Sequence, residues 1–343
     1  MKVLFDIVHP ADVLFFYHPL RKLQALGWDV LVLAREKDVA CTLLDSFGIP
    51  FKSVSVAGAG KIGLARELLT RDIRVGIEAL RFRPDVMIGF GGVAISHVGA
   101  VTRIPSLSFY DTDTAKLQTR LTWPFISHLF VPEAYQGDTP AGRTSRFPGI
   151  KEMSYFHPDN FRADKANAIN AGLDPSARNF LVRTVSWRAN HDIGKTGWSD
   201  DQLRMLVNRL SQIGKVHIST ERALPSDLSA SLYQGPANAI HDLMAHCDLY
   251  VGESATMALE AAVLGTPAIY DGADHPGTVR ELQSAGVLAA LHQEGSARLM
   301  AKVEHMLEPQ SRSAFDAARE AYLHRCSNLA DYIVDAVVRF ARR

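Results

Sequence analysis

Short apolar runs alternate with longer helix-like segments along this chain, in two successive series, and no other feature restricts the fold as much. The first series reads "KVLFDIV", "FFYHPLRKLQAL", "DVLVLA", "VACTLLDSF", "FKSVSV", a helix from Leu64 to Phe82, "DVMIGF" and "SLSFY". A strand joined to the next through a helix pairs with it in parallel by a right-handed crossover, so the alternation predicts a parallel sheet covered on both faces. After the Pro- and aromatic-rich "RFPGIKEMSYFHPDNF", read as containing a linker, the pattern restarts with "FLVRTVS", "DDQLRMLVNRLSQIG", "KVHIST", "AIHDLMAHC", "DLYVG" and "TPAIY". Two α/β domains are expected, over residues 1–158 and 159–324, with an amphipathic helix in 325–343 that packs back across them.

Length and composition agree with two globular domains: 343 residues, 47 % hydrophobic and 22 % charged. The formal net charge is zero, which removes whole-molecule attraction to nucleic acid, and no nucleic-acid partner is expected. Cys41, Cys247 and Cys326 are far apart and form no CxxC pair, so they read as reduced, mostly buried thiols. The start lacks the apolar core of a signal peptide and no run of about 20 apolar residues follows, so a cytoplasmic location is expected.

In open parallel sheets ligands bind beyond the carboxyl ends of the strands, which directs attention to the loops there and to the cleft expected between the halves. Three of those loops are glycine-rich. "GAGKIG", Gly58 to Gly63, matches a dinucleotide-binding spacing but follows the third strand rather than the first, and is set aside. "ANHDIGKT", Ala189 to Thr196, has the ending of a phosphate loop, and Arg183, Arg188, His191 and Lys195 around it supply cations for a phosphate. In "GFGGVAISHVG", Gly91 and Gly92 lack the Cβ that would keep another molecule from the backbone; tight strand-to-helix packing is the competing explanation.

The most informative residue is Glu260, in "GESATMALEAAVLGTPAIY". Met257, Ala261 and Leu264 share its stripe and Leu259 and Val263 cover the other side, so the helix is apolar nearly all round and buried. An ionised carboxylate in such a helix costs several kcal/mol unless a donor or cation compensates it. One compensating partner is an Arg or Lys from a neighbouring loop. The other is a vicinal pair of ribose hydroxyls, with a diphosphate at the helix start, where small residues leave free N–H groups and the positive end of the dipole.

The same stretch resembles the nucleotide-sugar-binding segment of GT-B proteins, which include UDP-N-acetylglucosamine 2-epimerases and the lipid II-forming N-acetylglucosaminyltransferase of peptidoglycan synthesis. The resemblance implies two Rossmann-like domains facing a central cleft, Ser254, Ala255 and Thr256 as the phosphate turn, and Glu260 as the ribose ligand. "RPDVMIGFGGVAISHVGAVTRIPSLSFYD" is similar to the corresponding stretch of the peptidoglycan transferase, whose glycines border the acceptor, and this carries an acceptor-side role to Gly91 and Gly92. "FDIVHPADVLFFYHPLRKLQALGWDVLVLAR" and "SWRANHDIGKTG" further resemble a bacterial and archaeal group of GT-B-like proteins. The implied activity is metal-independent, cofactor-free transfer of a sugar from a nucleotide-sugar donor, with a UDP-sugar first in line, to a glycan or lipid-linked acceptor. A 2-epimerase is the alternative, weakened because "GFGGV" and "SFYDTDT" replace the Asp and Glu of the epimerase motifs; a P-loop-type nucleotide-binding protein using "ANHDIGKT" is the second.

For the base that takes the acceptor's proton the candidates are Asp12 and Asp111, the preferred pair, then Asp113 and His9; for His9 and His18 structural roles weigh more. "KIGLARELLTRDIRVGIEALRFR" with "LQTRLTWPFISHLF" reads as a solvated helix face or as a peripheral contact with an anionic membrane at the inner face of the cell.

Overall fold

The computed structural model describes the chain except residues 37, 38, 57, 59, 187–196 and 342–343, and the side chains of residues 61 and 62. The chain divides into two compact units, residues 1–160 with 327–343, and residues 161–326.

The first unit is built on seven parallel strands: β1 (Lys2–Ile7), β2 (Asp29–Glu36), β3 (Lys52–Val56), β4 (Val86–Phe90), β5 (Ser106–Phe109), β6 (His128–Pro132) and β7 (Thr144–Phe147), in the order β3-β2-β1-β4-β5-β6-β7. β1 and β4 read as nearly continuous apolar runs because they lie at the centre and are buried on both faces. Val3 pairs with Val30 on one side and Val86 on the other. The strand order reverses between β1 and β4, which brings the loops "VHPAD" and "FGG" side by side at the switch point.

One expectation is corrected here: β6 and β7 extend the first sheet beyond the strands read from the sequence. "RFPGIKEMSYFHPDNF" does contain the passage from the first unit to the second, between Asn160 and Phe161, but most of it is core, with Phe147, Ile150, Met153 and Phe156 all buried. A Pro-rich segment without periodicity can still be core when irregular backbone, here with a 3-10 turn at Lys151–Ser154, turns successive side chains inward. The helix expected from Leu64 begins at Gly60, so most of "GAGKIG" is its first turn. The Gly58 N–H donates to Glu67 Oε2 at 2.8 Å, placing a carboxylate where a dinucleotide phosphate would sit.

The second unit has five parallel strands, β8 (Asn179–Thr184), β9 (Lys215–Thr220), β10 (Leu249–Gly252), β11 (Ala268–Tyr270) and β12 (Ala289–Ala290), in the order β12-β11-β10-β8-β9. Its core joins Phe180, Val182, Val251 and Ile269 of the sheet to Leu203, Leu206 and Leu210 of the helix Asp200–Ser211. That helix starts at a Ser199–Gln202 capping box, and the sheet again changes winding direction between β8 and β10.

The last helix, Leu329–Ala341, belongs to the first unit: Phe340 meets the rings of His128 and Phe130, and Asp331 pairs with Lys22. Cys247 is buried, while Cys41 and Cys326 are only partly so; all three are free thiols. Among the described residues no helix is long and apolar enough to cross a membrane.

Candidate functional site

In the second unit, loops leaving the carboxyl ends of the strands are tied together by two buried carboxylates. Glu253, directly after β10, accepts the Trp198 N–H at 2.6 Å with Oε1 and the Val185 N–H at 3.3 Å with Oε2. Trp198 Nε1 donates to Asp271 Oδ2 at 2.8 Å, and Asp271 Oδ1 accepts the Gln293 N–H at 2.8 Å. Hydrogen bonds to carboxylates are the stronger kind, so the loops after β8, β10, β11 and β12 are held in register. Glycine is required at 252, where a Cβ would lie 2.4 Å from the Tyr250 hydroxyl, which reaches over it to the Ser254 carbonyl at 3.3 Å.

The helix Ala255–Leu264 starts from this network. Ser254 is its N-cap, accepting the Met257 N–H at 3.4 Å, and as an acceptor it keeps its own proton to donate. The first N–H groups of a helix have no intrahelical acceptor, and Ser254, Ala255, Thr256 and Met257 are partly exposed, whereas Ala258 to Val263 are buried. Glu260 is among the buried residues, and among the described residues its hydrogen-bond partner is His241 Nε2, 3.2 Å from Oε2. Among the described residues the group beside this carboxylate is thus a histidine, on the short helix Ile240–Met244. Arg183, near the end of β8, is bound to Ser219 Oγ at 2.7 Å and paired with Glu221, so its charge is matched within the sheet edge. Arg188, His191 and Lys195 lie outside the described residues.

In the first unit the corresponding edge is crowded with charge. Asp6, the penultimate residue of β1, forms a buried ion pair with Arg71, which also donates to Ser55 Oγ at 2.8 Å. His9 caps the helix Pro10–Ala25, its Nδ1 accepting the Ala11 N–H at 3.2 Å, and Asp12 Oδ2 accepts the N–H groups of Val8 and His9, both at 2.9 Å. Both side chains therefore build the first turn. Burial, with the nearby Asp6 charge, pushes the Asp12 carboxyl up to about 7, although the two backbone N–H groups and Lys151 pull the other way. His18 sits against Tyr17 and Tyr155, and burial with the Lys22 charge pulls it down to about 4, so it is neutral at pH 7.

Gly91 and Gly92 follow β4 with φ of +76° and +54°, a left-handed backbone that favours glycine, and Gly92 starts the helix Val93–Thr102. Asp111, two residues past β5, is buried and bonded through Oδ2 to Lys151 Nζ at 2.7 Å. Lys151 also pairs with Glu152 at 3.3 Å and stands 5.8 Å from the centre of the Phe90 ring. Asp113 accepts the Gln136 N–H at 2.9 Å, which fixes a loop further along the edge. Lys151, His241, Glu253 and Asp271 were not found in the sequence, because each is defined by a partner from 19 to 73 residues away or by a network of backbone donors. Among the described residues no group of three or more His, Cys, Asp or Glu could hold a metal ion.

The membrane-facing reading of "LQTRLTWPFISHLF" is corrected at Trp123, which is buried and donates from Nε1 to the Asp138 carbonyl at 2.8 Å. On the neighbouring helix Gly60–Phe82, however, Leu69, Ile73, Ile77 and Leu80 are exposed at helical spacing, and Phe125 is exposed beside His97, whose Nδ1 bonds Asp72 of that helix.

A family described as "Protein of unknown function (DUF354)" matches residues 1–169. The UDP-N-acetylglucosamine–N-acetylmuramyl-(pentapeptide) pyrophosphoryl-undecaprenol N-acetylglucosamine transferase of Tolumonas auensis is 27 % identical over 137 residues, 37 % of this chain and 38 % of that protein. The match thus spans less than half of that relative's length. The enzyme of the same description from Burkholderia mallei is 26 % identical over 330 residues, 87 % of this chain and 84 % of that one. Among solved structures, UDP-GlcNAc 2-epimerase from Neisseria meningitidis bound to UDP-GlcNAc aligns with a TM-score of 0.70 at 15 % identity, covering 99 % of this chain and all of that one. With two parallel sheets, each flanked by helices and each reversing its winding at the centre, the chain has a GT-B-like fold of two Rossmann-like lobes.

Proposed function

We propose that the protein is a glycosyltransferase that moves a sugar from a nucleoside diphosphate donor, first in line a UDP-sugar, to a hydroxyl of a glycan or lipid-linked acceptor. The observation that carries this reading is the helix Ala255–Leu264, with a partly exposed, small-residue N-terminus at the end of the central strand and a buried carboxylate further along. The diphosphate lies at the N-terminus against Ser254, Ala255 and Thr256, and Glu260 accepts hydrogen bonds from the ribose. Arg188, His191 and Lys195 add cations to the same group. In the first unit Asp12 takes the acceptor proton as the acceptor oxygen bonds to the anomeric carbon. The bond from that carbon to the phosphate oxygen breaks, and the nucleoside diphosphate leaves with the electron pair, stabilised by the helix N-terminus. Gly91 and Gly92 let the acceptor approach the backbone. The similarity to the N-acetylglucosamine transferases supports the reaction class.

Glu260→Gln is expected to weaken UDP or UDP-sugar binding about 10- to 100-fold, the value of one charged hydrogen bond, with little change in thermal stability without ligand. Titration calorimetry beside a melting curve checks this; unchanged affinity, or a protein that no longer folds, makes Glu260 purely structural. Incubating UDP-N-acetylglucosamine without acceptor tests the chemistry. The donor is expected to persist, and release of the C2-inverted free sugar would turn the assignment to an epimerase. Stabilisation by ATP alone, and only with magnesium, would overturn both.

A lipid-linked acceptor brings the enzyme to a membrane surface, and the exposed stripe Leu69, Ile73, Ile77 and Leu80, with Arg66 and Arg81 exposed beside it, is the face proposed to meet it. Replacing Leu69, Ile73 and Leu80 by Gln is expected to reduce sedimentation with vesicles containing anionic phospholipid by about tenfold or more per residue. Wild-type protein that stays in the supernatant at low salt would remove the membrane from the proposal.

A further inference from the structure

Four carboxylates crowd the carboxyl edge of the first sheet: Asp6 and Asp12 around the end of β1, Asp111 after β5, and Glu152 in the 3-10 turn. All four are buried, where negative charge is costly unless a cation or hydrogen-bond donor offsets it. Arg71 is committed to Asp6 and Ser55. Lys151, whose side chain is 15 % exposed, is the cation set among the others, 2.7 Å from Asp111 and 3.3 Å from Glu152. Its backbone turn packs on the helix that Asp12 begins: Ser154 donates to the Phe15 carbonyl, at 2.5 Å, and Tyr155 contacts the rings of Tyr17 and His18.

We propose that Lys151 is a positioning residue for the base Asp12, a fixed cation that holds Asp111 and Glu152 in place on the turn packed against the Asp12 helix and offsets the negative charge around Asp12. This rests on the reading of Asp12 as the base. Burial works against the ammonium's own charge, but Asp111 and Glu152 beside it hold it above the ordinary lysine range, so it stays a cation throughout the working pH. The groups acting on Asp12 are Asp6, which raises its proton affinity, Lys151, which lowers it, and the N–H groups of Val8 and His9, which also lower it. His18 on the same helix is neutral, and on the last helix, which also packs there, Asp331 is paired with Lys22.

The sign follows directly. Without Lys151, Asp12 holds its proton to higher pH, and a reaction that needs the free carboxylate loses its acid side. Lys151→Met is expected to move the acid limb of the kcat/KM profile up by about one pH unit or more, while Lys151→Arg leaves it near the wild-type position. Carboxyl-carbon NMR of protein labelled at aspartate reads the same change without turnover, with Asp12→Asn identifying the signal. Its midpoint is expected to move up in Lys151→Met. Asp111→Asn frees more of the lysine's charge and is expected to move the midpoint down, which keeps the test open if Lys151→Met does not fold. A midpoint that stays at the wild-type position in the folded variants overturns the proposal. Absence of sugar transfer by the wild type, with the NMR midpoints moving as stated, would instead remove the transferase reading and leave the electrostatic role of Lys151 in place.

Discussion

Asp12→Asn is expected to lower kcat for sugar transfer by about 10²- to 10⁴-fold, the usual contribution of a positioned base, while donor affinity in the second unit is unchanged. Asparagine keeps an oxygen to accept the N–H groups of Val8 and His9, so the first turn of the helix survives and the loss is one of chemistry. Wild-type activity should rise with pH through about 7 as the carboxylate forms. Stability should run the other way. The folded-state carboxyl is raised from 3.8 to about 7, so the folded protein holds the proton more tightly than the unfolded chain. The resulting stabilisation is full below about pH 4 and is lost as pH rises through 7. At pH 8 the Asn variant, which carries no buried charge there, is expected to melt at or above the wild-type temperature although it is inactive. A large fall in both activity and stability would show that Asp12 serves the helix cap and not the reaction.

The second large effect concerns Arg71. The Asp6–Arg71 pair is buried on both sides, at 1 % and 6 % side-chain exposure. Removing one partner strands a charge in low dielectric, and Arg71→Met is expected to destabilise the first unit by about 3–5 kcal/mol. The double change Asp6→Asn with Arg71→Met removes both charges and should recover most of that loss, because replacing a buried pair outright is often close to neutral. Chemical denaturation of the single and double variants gives the coupling directly. Equal stability of the two would mean that water or another group reaches Asp6 when Arg71 is absent.

The two effects arise on one strand end for related reasons. Asp6 and Asp12 are six residues apart, separated by the turn from β1 into its helix, and Asp6 raises the proton affinity of Asp12. Arg71 screens the first carboxylate, and Lys151 answers the second together with Asp111 and Glu152. A parallel sheet makes this arrangement possible, because the carboxyl ends of β1, β4 and β5 lie side by side although the residues that follow them span a hundred positions of sequence.

The alternation of apolar runs with helical segments is local, and it was enough to determine two parallel α/β units. A central strand has to be apolar on both faces and a covering helix on one, whatever the rest of the chain does. Glu260 was legible for the same kind of reason: a carboxylate in a helix apolar nearly all round is an anomaly visible within ten residues. What the sequence left out has a common cause. β7, "TSRF", is an edge strand with partly exposed side chains and carries little apolar signal, and most of the stretch that contains the passage between the units is core because irregular backbone directs Ile150, Met153 and Phe156 inward. His241 as the partner of Glu260, Glu253 as the anchor of two loops, and Lys151 between Asp111 and Glu152 are pairings of residues distant or unpatterned along the chain. Sequence periodicity determines which face of an element turns inward, since that depends on each element's own residues. Which charge meets which is decided by strand order and loop path, because only the tertiary structure brings those side chains within the few ångströms over which hydrogen bonds and ion pairs act.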